Sequence, residues 1–217
     1  MRSRVLIADD HRILAEALSK LLSVNYDVIG IASNGRELIT LARELNPEVI
    51  VLDISMPLLN GIEALRMLRK TGVRGKFVIL TMHADVSLAS EAFRCGASAF
   101  VLKQAAGEEL NAAIAAALRG RHYLSSSFPV DLVNLLAEAV RRPSQEGPHL
   151  TRRQREVLQL VAEGKTMKEV ATLLSLSTRT VESYKYEIMR TLGMHTNAEL
   201  VQYAIRIGAI SVPPIAA

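Results

Sequence analysis

Glu48-Val49-Ile50-Val51-Leu52-Asp53 is an almost wholly apolar run that ends abruptly in a carboxylate. With no polar residue at alternate positions, it reads as a strand of a parallel sheet buried on both faces, which delivers one acid to the sheet edge. Other short runs end in the same way. Val5-Leu6-Ile7-Ala8 leads into Asp9-Asp10, Phe77-Val78-Ile79-Leu80 into Thr81, and Ala99-Phe100-Val101-Leu102 into Lys103. Ligands of an open parallel sheet bind at the carboxyl ends of its strands, so three acids, a hydroxyl and an amine are expected in one pocket.

Outward from this run, strand and helix patterns alternate five times between residue 4 and about 119. The remaining strand is expected at Tyr26 to Ala32. The helices are expected at about His11 to Ser23, Asn34 to Glu44, Gly61 to Thr71, Val86 to Cys95 and Gly107 to Arg119. Asn34-Gly35, Asn46-Pro47, Asn60-Gly61 and Cys95-Gly96 supply turn and cap chemistry between them. The alternation predicts a doubly wound, five-stranded parallel α/β sheet of flavodoxin-like type over residues 1–120.

After Gly120 the pattern changes. Phe128 to Arg141 has helical apolar spacing at Leu132, Leu135, Leu136 and Ala139. Arg142-Pro143-Ser144-Gln145-Glu146-Gly147-Pro148 has the composition of an exposed linker, so residues 121–149 form a helical connector and linker. Residues 150–217 are expected to be all-helical. Thr151 and Thr166 cap two helices, Ser175-Leu176-Ser177 makes a tight break, and a third helix runs from Thr178 to Leu192 before Gly193. A fourth spans about Thr196 to Ile207. A short helix, a turn and a longer helix entered by small polar residues is the helix-turn-helix plan.

At 100° per residue, Val181, Tyr184, Ile188 and Leu192 share one side of the third helix, and Arg179, Glu182, Ser183, Tyr186 and Arg190 the other. One side packs and the other is available to read DNA, or is simply solvated. Near the N-terminus of such a helix, Glu182, Ser183 and Tyr186 are the candidate base readers. Arg179, Lys185 and Arg190 are the candidate phosphate contacts.

Composition sets the limits. The 217 residues are 49% hydrophobic, enough for one large core or two modest ones. The apolar runs are strand-length, and Met-Arg-Ser-Arg leads directly into a strand, so neither a membrane span nor a signal peptide is expected and a cytoplasmic location is. The single Cys95 excludes an internal disulfide and reads as a packing residue. Of the net charge of +4, residues 1–120 hold 14 basic against 13 acidic groups, residues 121–150 balance, and residues 151–217 hold 9 against 6. The shorter of the two expected domains, 151–217, is the more basic, which fits nucleic acid.

Asp9 and Asp10 beside Asp53 repel one another unless a cation neutralises them. A carboxylate set with no His or Cys beside it favours Mg2+ over zinc. With charge neutralised, Asp53 can attack phosphorus to form an aspartyl phosphate, while Lys103 and Thr81 stabilise the phosphoryl oxygens. The plainer alternative is a set of strand-end acids paired with Lys103.

The set Asp9-Asp10, Asp53 followed by Met56-Pro57 and Gly61, Thr81, Phe100 and Lys103 resembles the receiver domain of two-component response regulators. The resemblance implies that Asp53 is the phosphoacceptor, that Asp9, Asp10, Asp53 and the Ser55 carbonyl hold Mg2+, and that Lys103 pairs with the phosphate. Thr81 and Phe100 resemble the switch pair, the ring turning into the space that the threonine leaves.

Leu150-Thr151-Arg152-Arg153-Gln154-Arg155-Glu156-Val157-Leu158 through Thr180-Val181-Glu182 resembles the DNA-binding domain of the NarL/FixJ (LuxR-type) regulators. Together the two resemblances imply a phosphorylation-controlled, DNA-binding transcriptional regulator, not a dedicated enzyme. Its partners would be double-stranded DNA and a sensor histidine kinase or small phosphodonor, with no membrane. The fourth helix, with Leu200, Val201 and Ala204, resembles the family's dimerising helix, which implies a homodimer in the phosphorylated state. A phosphohydrolase of the haloacid dehalogenase type is disfavoured because Ser55 stands where that chemistry places its second acid. A protein-binding helical module is the remaining rival.

Overall fold

The computed structural model describes residues 1–82, 84–128, 133 and 150–210. Strands β1 (Arg4–Ala8), β2 (Asp27–Ala32), β3 (Val49–Asp53), β4 (Lys76–Thr81) and β5 (Ala99–Leu102) alternate with helices α1 (Arg12–Leu22), α2 (Gly35–Leu45), α3 (Gly61–Lys70), α4 (Val86–Arg94) and α5 (Ala106–Leu118). Every strand pairing is parallel, in the order β2-β1-β3-β4-β5, with a further short strand, β6 (Tyr123–Leu124), beside β5. The alternation of the sequence thus yields the doubly wound sheet. β3 is central and all five of its residues are buried, as a run with no polar alternation requires.

The sheet has six strands where five were expected. Tyr123–Leu124 forms β6 beside β5, with Phe100 opposite Leu124. Two residues are too few to show alternation, and their strand character comes from the edge that β5 offers. Phe128 follows, 4% exposed, with its ring edge-on to Phe100 at 5.7 Å between centroids. Residues expected to open the connector therefore belong to the sheet and core of the N-terminal unit. The rest of the expected connector helix and linker lies outside the described residues, apart from Val133.

Side-chain caps fix the helix starts nearest the sheet edge. The Asn34 carbonyl oxygen accepts from the backbone N–H groups of Arg36 and Glu37, and Asn60 accepts from Glu63. Gly61 has a steric task. A Cβ there would lie 2.1 Å from the carbonyl oxygen of Asp53, so only glycine lets α3 start against the end of β3.

The C-terminal unit contains α6 (Arg152–Ala162), α7 (Met167–Leu174), α8 (Thr178–Leu192) and α9 (Asn197–Arg206). Reciprocal capping boxes open three of them: Thr151 with Gln154, Thr166 with Glu169 and Thr196 with Glu199. The break between α7 and α8 passes through Ser175 in the left-handed region, and Gly193 ends α8 in the same conformation. Val157, Leu158, Leu160, Val170, Leu174, Val181, Ile188, Leu200 and Ala204 form its core. Two of the expected dimerisation residues belong to this core. Leu200 and Ala204 are wholly buried within their own unit, because their spacing matches the inner face of α9; Val201 is half-buried, and Gln202, Ile205 and Arg206 are exposed.

Candidate metal centre and nucleic-acid interface

The parallel register carries the acids to one place. Asp53 ends β3 opposite Leu80, Thr81 is the next residue of β4, and Asp9 follows β1 directly. Lys103 begins a short 3-10 turn, Lys103–Ala105, after β5. Its Nζ lies 2.8 Å from Asp53 Oδ2 and 2.7 Å from Asp9 Oδ2, with all three side chains nearly inaccessible. The ammonium thus bridges the two carboxylates, donating to Asp53 and holding Asp9 at nearly the same distance. Ser55 approaches through its backbone, whose N–H donates to the Asp53 carboxylate.

Burial pushes Lys103 down, but Asp53 and Asp9 outweigh it and the amine is held above its ordinary value, as an ammonium. Asp53 is pushed up by burial and by Asp9, and Lys103 offsets only part of that rise. One ammonium serves two buried carboxylates, so the pocket has an excess of negative charge. Asp9, Asp10, His11 and Asp53 can each turn a donor atom to within 4.8 Å of the others. Three convergent carboxylates that share a single ammonium fit a hard cation.

His11 corrects an expectation. The expected site has acids with no imidazole beside them, yet His11 Nδ1 lies 3.0 Å from Asp10 Oδ1 and 3.4 Å from Asp9 Oδ1. The sequence carried that signal, since His11 directly follows the two acids. The His11 N–H also donates to Asp9, which orients this carboxylate.

Thr81 is 2% exposed, at the sheet edge beside the cluster. Phe100 is wholly buried among Phe77, Leu88 and Ala92, and Phe128 covers it. Thus one candidate switch residue stands at the pocket and the other in the core behind it.

On α8, Val181 and Ile188 are buried and Tyr184 is half-buried, whereas Arg179, Glu182, Ser183, Tyr186 and Arg190 are exposed. Lys185 is half-buried. The division follows the helical angles. Tyr186 is 68% exposed, a large aromatic with no role in the core.

The two units touch through groups that the sequence did not mark. Gln159 of α6, 1% exposed, donates from Nε2 to the Met56 carbonyl at 2.9 Å and accepts at Oε1 from the Asn60 N–H at 2.8 Å. Glu163 accepts from the Leu58 N–H at 3.0 Å, and Arg155 reaches the buried Glu63 carboxylate at 2.5 Å.

Residues 5–115 match the family model of the response regulator receiver domain, and residues 148–204 match that of the bacterial regulatory proteins of the luxR family. The transcriptional regulatory protein YdfI of Bacillus subtilis is 32% identical over 97% of this chain and 99% of its own. The response regulator UvrY of Escherichia coli is 30% identical over 94% of each chain. Among solved structures, RcsB from Salmonella enterica serovar Typhimurium, bound to promoter rprA in the presence of the phosphomimetic BeF3-, superposes with a TM-score of 0.62 at 27% identity. That match covers 93% of this chain and 98% of RcsB.

Proposed function

Because the chain belongs to the response regulators that join a receiver domain to a LuxR-type helix-turn-helix domain, we propose that it accepts a phosphoryl group on Asp53 and thereby changes its binding to promoter DNA. It is a transcriptional regulator, not a dedicated enzyme. The observation that carries the proposal is the Lys103 ammonium 2.8 Å from Asp53, within reach of Asp9 and at the shared edge with Asp10. We assign the receiver to residues 1–120 with 121–128 packed on it, the connector and linker to the stretch up to 149, and the DNA-binding domain to 150–217.

Asp9, Asp10, Asp53 and the Ser55 carbonyl would hold Mg2+, which when bound neutralises the acids and the phosphoryl oxygens. His11 does not redirect the choice to zinc, because three carboxylates form a hard oxygen site and the imidazole is occupied with Asp10 and Asp9. Asp53 attacks phosphorus in line as the bond to the donor's leaving group breaks. Lys103, already an ammonium, releases Asp53 and pairs with the new phosphate. Thr81 donates its hydroxyl to the phosphoryl oxygens, and Phe100 follows. The donor is a sensor histidine kinase or a small acyl phosphate.

In the RcsB structure a regulator similar to this chain is bound to promoter DNA with a phosphomimetic present. That supports Glu182, Ser183 and Tyr186 as base readers here and Arg179, Lys185 and Arg190 as phosphate contacts, in the cytoplasm. The phosphorylated form acts as a homodimer, and the exposed side of α9 around Val201 and Ile205 is the face open to a partner copy.

Incubation with acetyl phosphate and Mg2+ should add one acid-stable, base-labile phosphoryl group, and Asp53→Asn or chelation should abolish it. Uptake that survives Asp53→Asn, or phosphate found on Ser, Thr or His, would refute the assignment. A protein-binding role for the helical domain is tested by a gel shift with promoter DNA at rising salt.

A further inference from the structure

The segment Ile54 to Asn60 joins the phosphoacceptor strand to α3, and its own hydrogen bonds satisfy only part of it. Met56 N and Gly61 N both donate to the Ile54 carbonyl, at 3.1 and 2.8 Å, and Leu59 N donates to Pro57 at 2.8 Å. The Met56 carbonyl and the N–H groups of Leu58 and Asn60 find partners in Gln159 and Glu163 of α6. Gln159 Nε2 also donates to Glu163 at 2.8 Å, so the two side chains act as one clamp. Leu58 has φ +67°, a left-handed conformation that is strained for a residue with a side chain and persists only where the surroundings impose it. Its side chain packs against the core of the DNA-binding domain. The loop conformation is therefore held in part from outside the receiver.

The same docked arrangement leaves Arg179, Glu182, Ser183, Tyr186 and Arg190 exposed. Docking does not cover the reading side of α8, so its consequence falls on the loop. Ser55, whose N–H contacts Asp53, lies one residue before Met56.

We propose that Gln159, with Glu163, is a positioning residue for the phosphoacceptor site: α6 of the DNA-binding domain holds the loop after Asp53 in the shape that binds Mg2+ and accepts the phosphoryl group. This rests on the assignment of Asp53 and Mg2+ above. By reciprocity, whatever tightens the loop around the ion tightens the docking of α6 by the same factor.

The test uses the full chain and two readouts. In Gln159→Ala, amide hydrogen exchange of the segment 54–60 should quicken by about tenfold or more at Leu58 and Asn60, as a local opening becomes easier. Calorimetric titration should show Mg2+ affinity falling by about fivefold or more, within the usual range of coupling between sites. Glu163→Ala, at a half-buried position, should shift both readouts the same way should Gln159→Ala fold poorly. Glu163→Gln keeps the acceptor for Leu58 and should restore them. Exchange unchanged in both alanine variants overturns the proposal, and so does faster exchange with Mg2+ affinity equal to that of the unaltered protein. Mg2+ binding that is undiminished in Asp53→Asn refutes the pocket assignment instead, and the exchange measurement still decides whether α6 holds the loop.

Discussion

Lys103 stands between two buried acids, and the pocket depends on it for charge balance. Removing one partner of a buried ion pair typically costs about 3 to 5 kcal/mol, because the remaining charges stay desolvated and unpaired. Lys103→Met should therefore lower the thermal unfolding temperature, and Mg2+ should recover more stability in the variant than in the unaltered protein; equal gains in a scanning fluorescence assay would argue against the shared charge. Glu109 is a buried acid with a different balance. Burial pushes it up, but bonds from the hydroxyls of Ser125 and Ser126 and the Ser126 N–H outweigh that and hold it below 4.5. A lowered carboxyl stabilises the fold above its ordinary value and loses that contribution as pH falls through the lowered one. Glu109→Gln should thus cost about 1 to 3 kcal/mol in urea unfolding at pH 7, with the gap closing below pH 4.5.

At the scale of elements, α8 separates a packed side from an exposed one. Val181 and Ile188 are wholly buried in the core of the C-terminal unit, whereas Glu182 and Tyr186 face outward. A carboxylate beside a duplex is unfavourable unless it accepts a specific donor, and cytosine N4 is the donor that the major groove offers to Glu. Glu182→Ala should relax preference at one or two positions per half-site by about 1 to 3 kcal/mol. Lys185→Ala should weaken all sequences alike and flatten the salt dependence. Selection from random DNA distinguishes these outcomes; an identical motif at identical stringency for Glu182→Ala means that Glu182 only orients its basic neighbours on the helix.

For the whole molecule, the decisive feature is the polar seam between the units. Gln159 and Glu63 are buried there, and each would lose its partners across the seam, Met56 and Asn60 for Gln159 and Arg155 for Glu63, if the domains parted. The apolar part of the seam adds to this, with Gly208 against Leu88 and Ile54 so closely that a Cβ would lie 3.0 Å from the leucine. Calorimetric unfolding of the intact protein should accordingly show one transition. Gln159→Ala should resolve it into two, one for each unit. Two transitions in the unaltered chain would mean that the units are energetically independent.

What the sequence determined by itself was the local order of elements and the contents of the acidic pocket. Hydrophobic period fixed strand and helix, and Asn34, Asn60, Thr151 and Thr166 marked the starts of helices, because these are interactions between residues a few positions apart. The convergence of Asp9, Asp53, Thr81 and Lys103 was legible as well, since a parallel sheet brings every strand end to one edge. Only the tertiary structure decided the rest. Tyr123–Leu124 became a strand because β5 had an open edge, and Leu200 and Ala204 went to the core because the inner face of α9 was the one that packed. Gln159 clasps a loop 99 residues away in the chain, at Asn60. No local pattern marks such a residue, because its partners are backbone groups whose orientation exists only once both domains have folded and met.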